Sequence, residues 1–377
     1  MCNQKPQELS IYIHWPFCKS KCPYCDFNSH KSFAINEDDW KQSYINEINL
    51  NKDLIKDKTI KSIFFGGGTP SLMSYRTIDS ILKEISHLAH FSNDIEITLE
   101  ANPNSIERGD FKDFKTAGVN RVSIGIQSFD NNNLKFLGRS HSSNDGLKAI
   151  EYAQKVFDNY SFDLMYCLPG QQIHDWEYEL EKAVQYIDYH ISCYQLTIEK
   201  GTQFFNLCKL QSFKMPDETT SIKMYKATID ILQSHGIHQY EISNYSKLNH
   251  ECKHNMSYWQ LNNYIGIGPG AHGRYSLNNR TYYSINYYDP KKWFKYVYNN
   301  ESPIQSTQLI NSQQCTVDKL TMGLRLNMGI RKINIPNLES MNDLIKKGFL
   351  IEDESHYIKS TLKGRLVLNT IIEKLLF

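Results

Sequence analysis

Short apolar runs, recurring about every thirty residues with an amphipathic stretch between them, constrain this chain more than any other feature. The runs are Ile11–Phe17, Ser62–Phe65, Ile95–Leu99, Arg121–Ile126, Phe162–Tyr166 and Ser192–Ile198. All are rich in Ile, Val, Phe or Tyr, and they read as buried parallel strands. The intervening stretches carry helical spacing: Asp38–Leu50, Tyr75–Leu88, Glu107–Lys115, Asn144–Phe157 and Asp175–Ile187. Asp38–Leu50, for example, places Trp40, Tyr44, Ile45 and Ile48 on one face. Six such units predict an α/β fold, a partial, open-sided (β/α)6 barrel whose chemistry sits at the C-terminal ends of its strands.

Asp217–His235 reads as a further helix, and residues 240–285 are aromatic and Gly-rich with weaker periodicity. A boundary is expected near Glu301–Thr307, where Ser, Pro and Gln cluster. The expected division is a barrel over 1–240, an aromatic, Gly-rich extension over 241–304 and a small α+β domain over 305–377. In that last part Gln314–Leu326, Asn337–Lys347 and Leu362–Leu376 read as helices, and Gly348–Ile351 with Tyr357–Ser360 as a hairpin. The order is winged-helix-like. Without a dense basic stripe, a packing or lid role is favoured over DNA binding.

The charge balance agrees, since 42 Lys and Arg against 41 Asp and Glu give a net charge of +1. Nucleic-acid binders need a surplus of cations on one face. The N-terminus lacks the basic, apolar pattern of a signal peptide, and no stretch reaches the roughly 18 apolar residues of a membrane helix. A soluble, cytoplasmic protein is expected. An odd count of nine cysteines, three of them within eight positions, does not describe a disulfide framework.

Those three, Cys18, Cys22 and Cys25, stand in a C-x3-C-x2-C loop after the first strand. Such a loop can wrap one [4Fe-4S] cube and present three thiolates to three irons. The fourth iron is left open to a small chelating ligand, and the amino and carboxylate groups of S-adenosylmethionine (SAM) supply one. An electron from the cluster can then break the sulfonium C–S bond to give a 5′-deoxyadenosyl radical. A structural zinc with a distant fourth ligand is the competing use of the same cysteines. Gly66-Gly67-Gly68-Thr69-Pro70 after the second strand favours the cluster, because glycines let backbone approach a ligand closely.

With these motifs in view, the chain resembles the radical SAM superfamily, in the branch of the anaerobic coproporphyrinogen III oxidases and the heme chaperones. The matching blocks, in order, are YIHWPFCKSKCPYCDF, FFGGGTPS, LEANPNS, VSIGIQSF, LGRSH, FDLMYCLPG, YEISNYS, HNMSYW and GIGPGAHG, and they span nearly the whole chain. The oxidase pattern has a further cysteine two residues after the cluster motif, where this chain has Phe27. The block His254-Asn255-Met256-Ser257-Tyr258-Trp259 matches the H-N-x-x-Y-W pattern of the chaperones. Both favour heme chaperone over oxidase, with oxygen-independent coproporphyrinogen III oxidase as the alternative.

The resemblance implies a partial radical SAM barrel in which Tyr12, Tyr24, Gly67 and Glu100 contact the SAM on the cluster. It implies that Gly68, Thr69, Gln127, Arg139, Asp163 and Thr197 line a second SAM site. Cys167 replaces a glycine common in the family and brings bulk near that second site. The cofactors implied are the cluster, SAM and heme, with His254 as heme ligand. The implied partner is an apo-hemoprotein acceptor; a membrane-associated acceptor and a homodimer are both compatible. On its residues alone, His254 beside Tyr258 and Trp259 reads as a packed, hydrogen-bonded side chain. His250, Cys252 and His254 could alternatively bind zinc.

Overall fold

The computed structural model describes residues 7–31, 35–105 and 110–377. Its barrel strands are β1 (Glu8–Trp15), β2 (Thr59–Gly67), β3 (His90–Ala101), β4 (Arg121–Gln127), β5 (Tyr160–Tyr166) and β6 (His190–Gln195), each parallel to the next. Between them run α1 (Glu37–Leu50), α2 (Tyr75–Leu88), α3 (Asp110–Thr116), α4 (Ser143–Val156) and α5 (Ile173–Val184). Glu107, the expected start of the third helix, lies outside the described residues. Local chemistry sets the ends of these helices. Ser74 caps α2 by accepting from Thr77 N–H, and Ser142 with Asp145 forms a capping box at α4.

The sheet runs further than the sequence period indicated. After α6 (Glu218–Ser234), α7 (Lys253–Trp259) leads into β7 (Tyr264–Ile267), a seventh parallel strand on the free edge of β1. At four residues before Gly268-Pro269-Gly270, β7 is too short to show periodicity. Antiparallel β8 (His272–Leu277), β9 (Arg280–Asn286) and β10 (Ile304–Leu309) continue from it, and α8 (Pro290–Tyr298) packs on α1. On the other edge, Asn244–Ser246 pairs with β6 and His238–Gln239 pairs outside it. Among the described residues twelve strands make one open sheet whose two edges do not pair, and residues 241–304 extend it on both sides. Strand β6 ends at Gln195, three residues before the expected end, although Leu196 N–H still donates to Tyr166 O.

The parallel strands alternate strictly in character. Ile11, Ile13, Ile63, Phe65, Leu99, Val122, Ile124, Phe162 and Ile191 point outward into the core beneath the helices. Tyr12, Phe64, Glu100, Arg121, Ser123, Asp163, His190, Ser192 and Tyr194 face the lumen. Register carries this across the sheet, with Tyr12 beside Phe64, Glu100 beside Ser123 and Asp163 beside Ser192. The period of two thus separates a dry outer shell from a polar interior.

The tail folds around its own core of Leu320, Leu324, Met341, Leu344, Leu350, Ile358, Ile371 and Leu375. It comprises α9 (Ser312–Gly323), α10 (Leu338–Lys346), a three-stranded antiparallel sheet of Ile330–Arg331, Tyr357–Ser360 and Leu350–Glu352, and α11 (Leu368–Leu376). Ile242 packs against that core, and Arg365 hydrogen-bonds Gln239 beside the barrel. No helix among the described residues is long and apolar enough to cross a membrane.

Candidate cluster and cofactor site

The cysteine loop starts where β1 ends. Phe17–Cys18 pairs in parallel with His30–Lys31, closing the loop into a flap over the barrel mouth. Lys21 Nζ donates to the carbonyls of Phe27 and Ser29, and Cys25 N–H donates to Cys22 O. Cys18 is buried, while Cys22 and Cys25 are half-buried. Arg139 Nη1 lies 3.5 Å from Cys22 Sγ, and its Nη2 donates to Asn102 Oδ1 at 3.0 Å and Gly125 O at 2.7 Å. Cys25 Sγ lies 3.6 Å from Ser29 Oγ. Burial pushes the Cys18 thiol up, opposed by a hydrogen bond from Thr69.

The glycine run packs directly against this loop. Gly68 N–H donates to Trp15 O and Thr69 N–H to Phe17 O. Gly67 has φ +113, and its N–H donates to Glu100 Oε2 at 3.2 Å. Gln127 at the end of β4 has φ +72, a conformation that costs a non-glycine residue about 1 kcal/mol and recurs at binding sites.

One cavity of about 350 Å³ is lined by Cys18, Cys22, Cys25, Tyr24, Gly67, Gly68, Thr69, Glu100, Gln127, Arg139, Asp163 and Thr197. Twelve of the fourteen residues singled out from the sequence therefore meet in one space. Tyr12 and His254 lie deeper, in an adjoining lumen cavity of about 320 Å³ that shares Glu100, Ser123, Asp163 and Tyr194 with the first. The Tyr12 hydroxyl donates to His14 Nδ1, whose Nε2–H donates to Asn28 O.

His254 is buried at the lumen floor, on the helix α7 that crosses it. Ser62 donates to Ser10, so His254 Nδ1–H donates to Ser62 Oγ at 2.9 Å and Nε2 accepts from the Tyr258 hydroxyl at 2.8 Å. Burial and then Arg121 lower its pKa to about 3, and the ring is neutral. The zinc alternative does not assemble. His250 stacks on Tyr189 at 3.8 Å, while Cys252 donates to Glu96. Among the described residues no three or more His, Cys, Asp or Glu side chains are disposed to hold a single metal ion. A cubane takes each thiolate on a different iron, so its ligands need not converge on one point.

Cys167 does not intrude on the mouth. It has φ +59, where glycine is at ease, and its sulfur is buried against Met224 Sδ on α6, outside the lumen. Sequence reasoning did not single out Asn102, Ser123, Met165, Tyr194, Leu196 and Glu199, which line the cluster cavity. Asn102 was within reach, since it falls in the LEANPNS block and orients Arg139.

The lumen carboxylates are strained acids. Burial, and then the Asp163 charge, push Glu100 up to about 8 against the pull of Gly67 N–H and Arg121. Burial raises Asp163 to about 6. Stability from a raised acid is complete below the ordinary carboxylate range and is lost as pH rises through the folded-state value. Ligand-free protein is therefore expected to melt at progressively lower temperature from about pH 5 to about pH 9, and Glu100→Gln to flatten the upper part of that profile. Thermal unfolding followed by circular dichroism across that range checks this; a flat wild-type profile contradicts it.

A model of the Radical SAM superfamily matches residues 12–183. The "Heme chaperone HemW" of Buchnera aphidicola subsp. Schizaphis graminum is 36% identical over 97% of this chain and 97% of its own. The chain belongs to the HemW family of the radical SAM superfamily. Another relative in the same range is "Radical S-adenosyl methionine domain-containing protein 1, mitochondrial" of Danio rerio, 39% identical over 86% of this chain and 74% of its own. Among solved structures, coproporphyrinogen III oxidase (HemN) from Escherichia coli superposes with a TM-score of 0.82, over 99% of this chain and 91% of that one, at 19% identity. That likeness shows the fold, a HemN-like α/β sheet curved into a partial barrel. Family membership implies a [4Fe-4S] cluster and SAM, and the three cysteines and the glycine run of the family pattern face one cavity.

Proposed function

We propose that this protein holds a [4Fe-4S] cluster on Cys18, Cys22 and Cys25, binds SAM at the cluster's open corner, and carries heme for delivery to an apo-protein. The observation that carries the first two parts is the single cavity that gathers the three cysteines, Gly67–Thr69, Glu100, Gln127, Arg139 and Asp163. When bound, the cluster and SAM supply one-electron reductive chemistry. The chain's own residues do the holding. Thr69 hydrogen-bonds Cys18, Arg139 holds Cys22, and Gly67 brings bare backbone to the cavity. Tyr12, Tyr24, Gly67 and Glu100 would contact the first SAM, and Gly68, Thr69, Gln127, Arg139, Asp163 and Thr197 a second. Carboxylates with raised affinity for protons suit an ammonium or sulfonium that replaces the proton.

Heme cargo is supported by the names of the relatives and by Phe27. That residue stands where the oxidase pattern has a further cysteine, and it is 60% exposed at the rim. Ligation of heme iron by His254 would require Tyr258 to release Nε2, the ring nitrogen with a lone pair. Anaerobic titration of the reconstituted protein with hemin tests the reading. A saturable Soret band, and loss of that band on mixing with an apo-hemoprotein, are expected. Absence of any Soret band, or formation of protoporphyrinogen from coproporphyrinogen III at ordinary enzymatic turnover, would overturn it.

A further inference from the structure

Three serines stand at the floor of the lumen, where two parallel strands and the helix crossing them would ordinarily bury apolar side chains. Ser10 on β1 and Ser62 on β2 are opposite each other in the strand register. They alternate with the core residues Ile11 and Ile63, and so share the inward face with Tyr12 and Phe64. His254 and Ser257 lie three residues apart on α7 and reach Ser62 and Ser10 respectively. None of the four is more than 6% exposed, so each polar atom has to find its partner within the group.

Their hydrogen bonds run in one direction. Ser257 Oγ donates to Lys253 O at 3.0 Å, and a carbonyl only accepts. With its hydrogen engaged, Ser257 accepts from Ser10 at 2.9 Å. Ser10 in turn accepts from Ser62 at 2.8 Å, which leaves Ser62 only lone pairs for His254 Nδ1 at 2.9 Å. The hydrogen of the neutral imidazole therefore lies on Nδ1, and Nε2 keeps the lone pair. The opposite tautomer would set the Nδ1 lone pair against those of Ser62 and break the chain. Phe64 stacks on the ring at 5.1 Å between centroids and 26° between planes, which holds both nitrogens in line with their partners.

We propose that Ser62, backed by Ser10 and Ser257, is the positioning residue that fits His254 to ligate heme iron through Nε2. The inference rests on the reading of heme as cargo with His254 as its ligand, and adds the residues behind that ligand. A ligating histidine is usually held through its other nitrogen by an acceptor, which fixes the tautomer and raises the basicity of the ring. A serine with a free hydrogen could serve Nδ1 as donor instead, and Nε2 would then carry a hydrogen and bind no metal. The chain ending at Lys253 O removes that option. Ligation then costs the ring one hydrogen bond, the one from Tyr258.

The test has two arms, both on the full-length protein. In the first, two-bond ¹H–¹⁵N spectra of histidine-labelled, hemin-free protein report the tautomer of His254, whose signal is identified by its loss in His254→Ala. Wild type is expected to show Nδ1–H. Ser10→Ala is expected to move the ring toward Nε2–H, because it frees the Ser62 hydrogen while leaving the Ser62 oxygen in place. A serine that merely filled space would produce no such change. In the second arm, hemin titration is followed by Soret absorbance and ferric EPR. Ser62→Ala, which strips Nδ1–H of its acceptor, is expected to bind about tenfold more weakly and to lose the wild-type EPR signature. Ser10→Ala is expected to bind more weakly as well, and it decides the matter where Ser62→Ala folds poorly. An Nε2–H signal for His254 in wild type overturns the proposal. If wild type binds hemin and the serine variants match it in affinity and signature, the positioning role is overturned and the chaperone reading stands. If wild type binds none, both fall.

Discussion

Alanine at Cys18, Cys22 or Cys25 is expected to give folded protein that leaves anaerobic reconstitution with neither cluster nor SAM binding. Each sulfur has its own support: Thr69 for Cys18, Arg139 for Cys22 and Ser29 for Cys25. With no fourth cysteine lining the cavity among the described residues, removal of one leaves two anchors for a cube that needs at least three. Folding should survive, because Cys22 and Cys25 lie on a flap rather than in the barrel core. Iron and sulfide content together with EPR of the reduced protein measure the loss. Alanine at Cys193, buried under the helices, serves as the control that keeps its iron. Full iron content in Cys25→Ala would sink the assignment.

Gly68→Ala is expected to damage the mouth by crowding alone. Its Cβ would stand 2.6 Å from Phe17 O and 2.9 Å from Phe17 C and N, all of them backbone atoms. A flexible side chain could turn away, whereas this stretch is held by Thr69 N–H to Phe17 O and by pairing with His30. The methyl must push the start of the cluster loop outward, at about 3 kcal/mol or more. Gly170→Ala gives the comparison. Gly170 has φ +79 but nothing within 4 Å of a new Cβ, so only backbone strain of about 1 kcal/mol is expected. Denaturant unfolding of both variants, with iron content after reconstitution, separates the two. Equal losses would show that crowding against Phe17 is not the cause.

The cavity that gathers the three cysteines and the glycine run was legible because its parts are local. The three cysteines fall on one loop, and the glycine run sits at the end of the strand beside it, so a βα period suffices to bring them together. What escaped was set by distance in the chain. Strand β7 is four residues long and owes its place to hydrogen bonds with β1, some 250 residues earlier. Tyr258, which hydrogen-bonds His254, stands in the same block, but the Ser62 partner is 192 residues away, and nothing in the local pattern shows that α7 crosses the lumen. Cys167 stood out by its bulk. A positive φ and the buried contact with Met224 explain why it does not crowd the mouth, and neither is written in its neighbours. Glu100 and Asp163 are singled out by their motifs, whereas Arg121 and His190, which share the inward face of the same strands and line the lumen with them, carry no local signal.

That alternation divides labour between the two faces of each strand. The outward isoleucines, valines and phenylalanines against the helices carry the cohesion of the scaffold, whereas the inward set contributes little to it. A hollow furnished with serines, carboxylates and imidazoles cannot shrink onto itself without abandoning hydrogen bonds, so it stays propped open for a guest. The furniture can be exchanged at little cost to the walls, and one shell can thereby accommodate quite different tenants over evolutionary time.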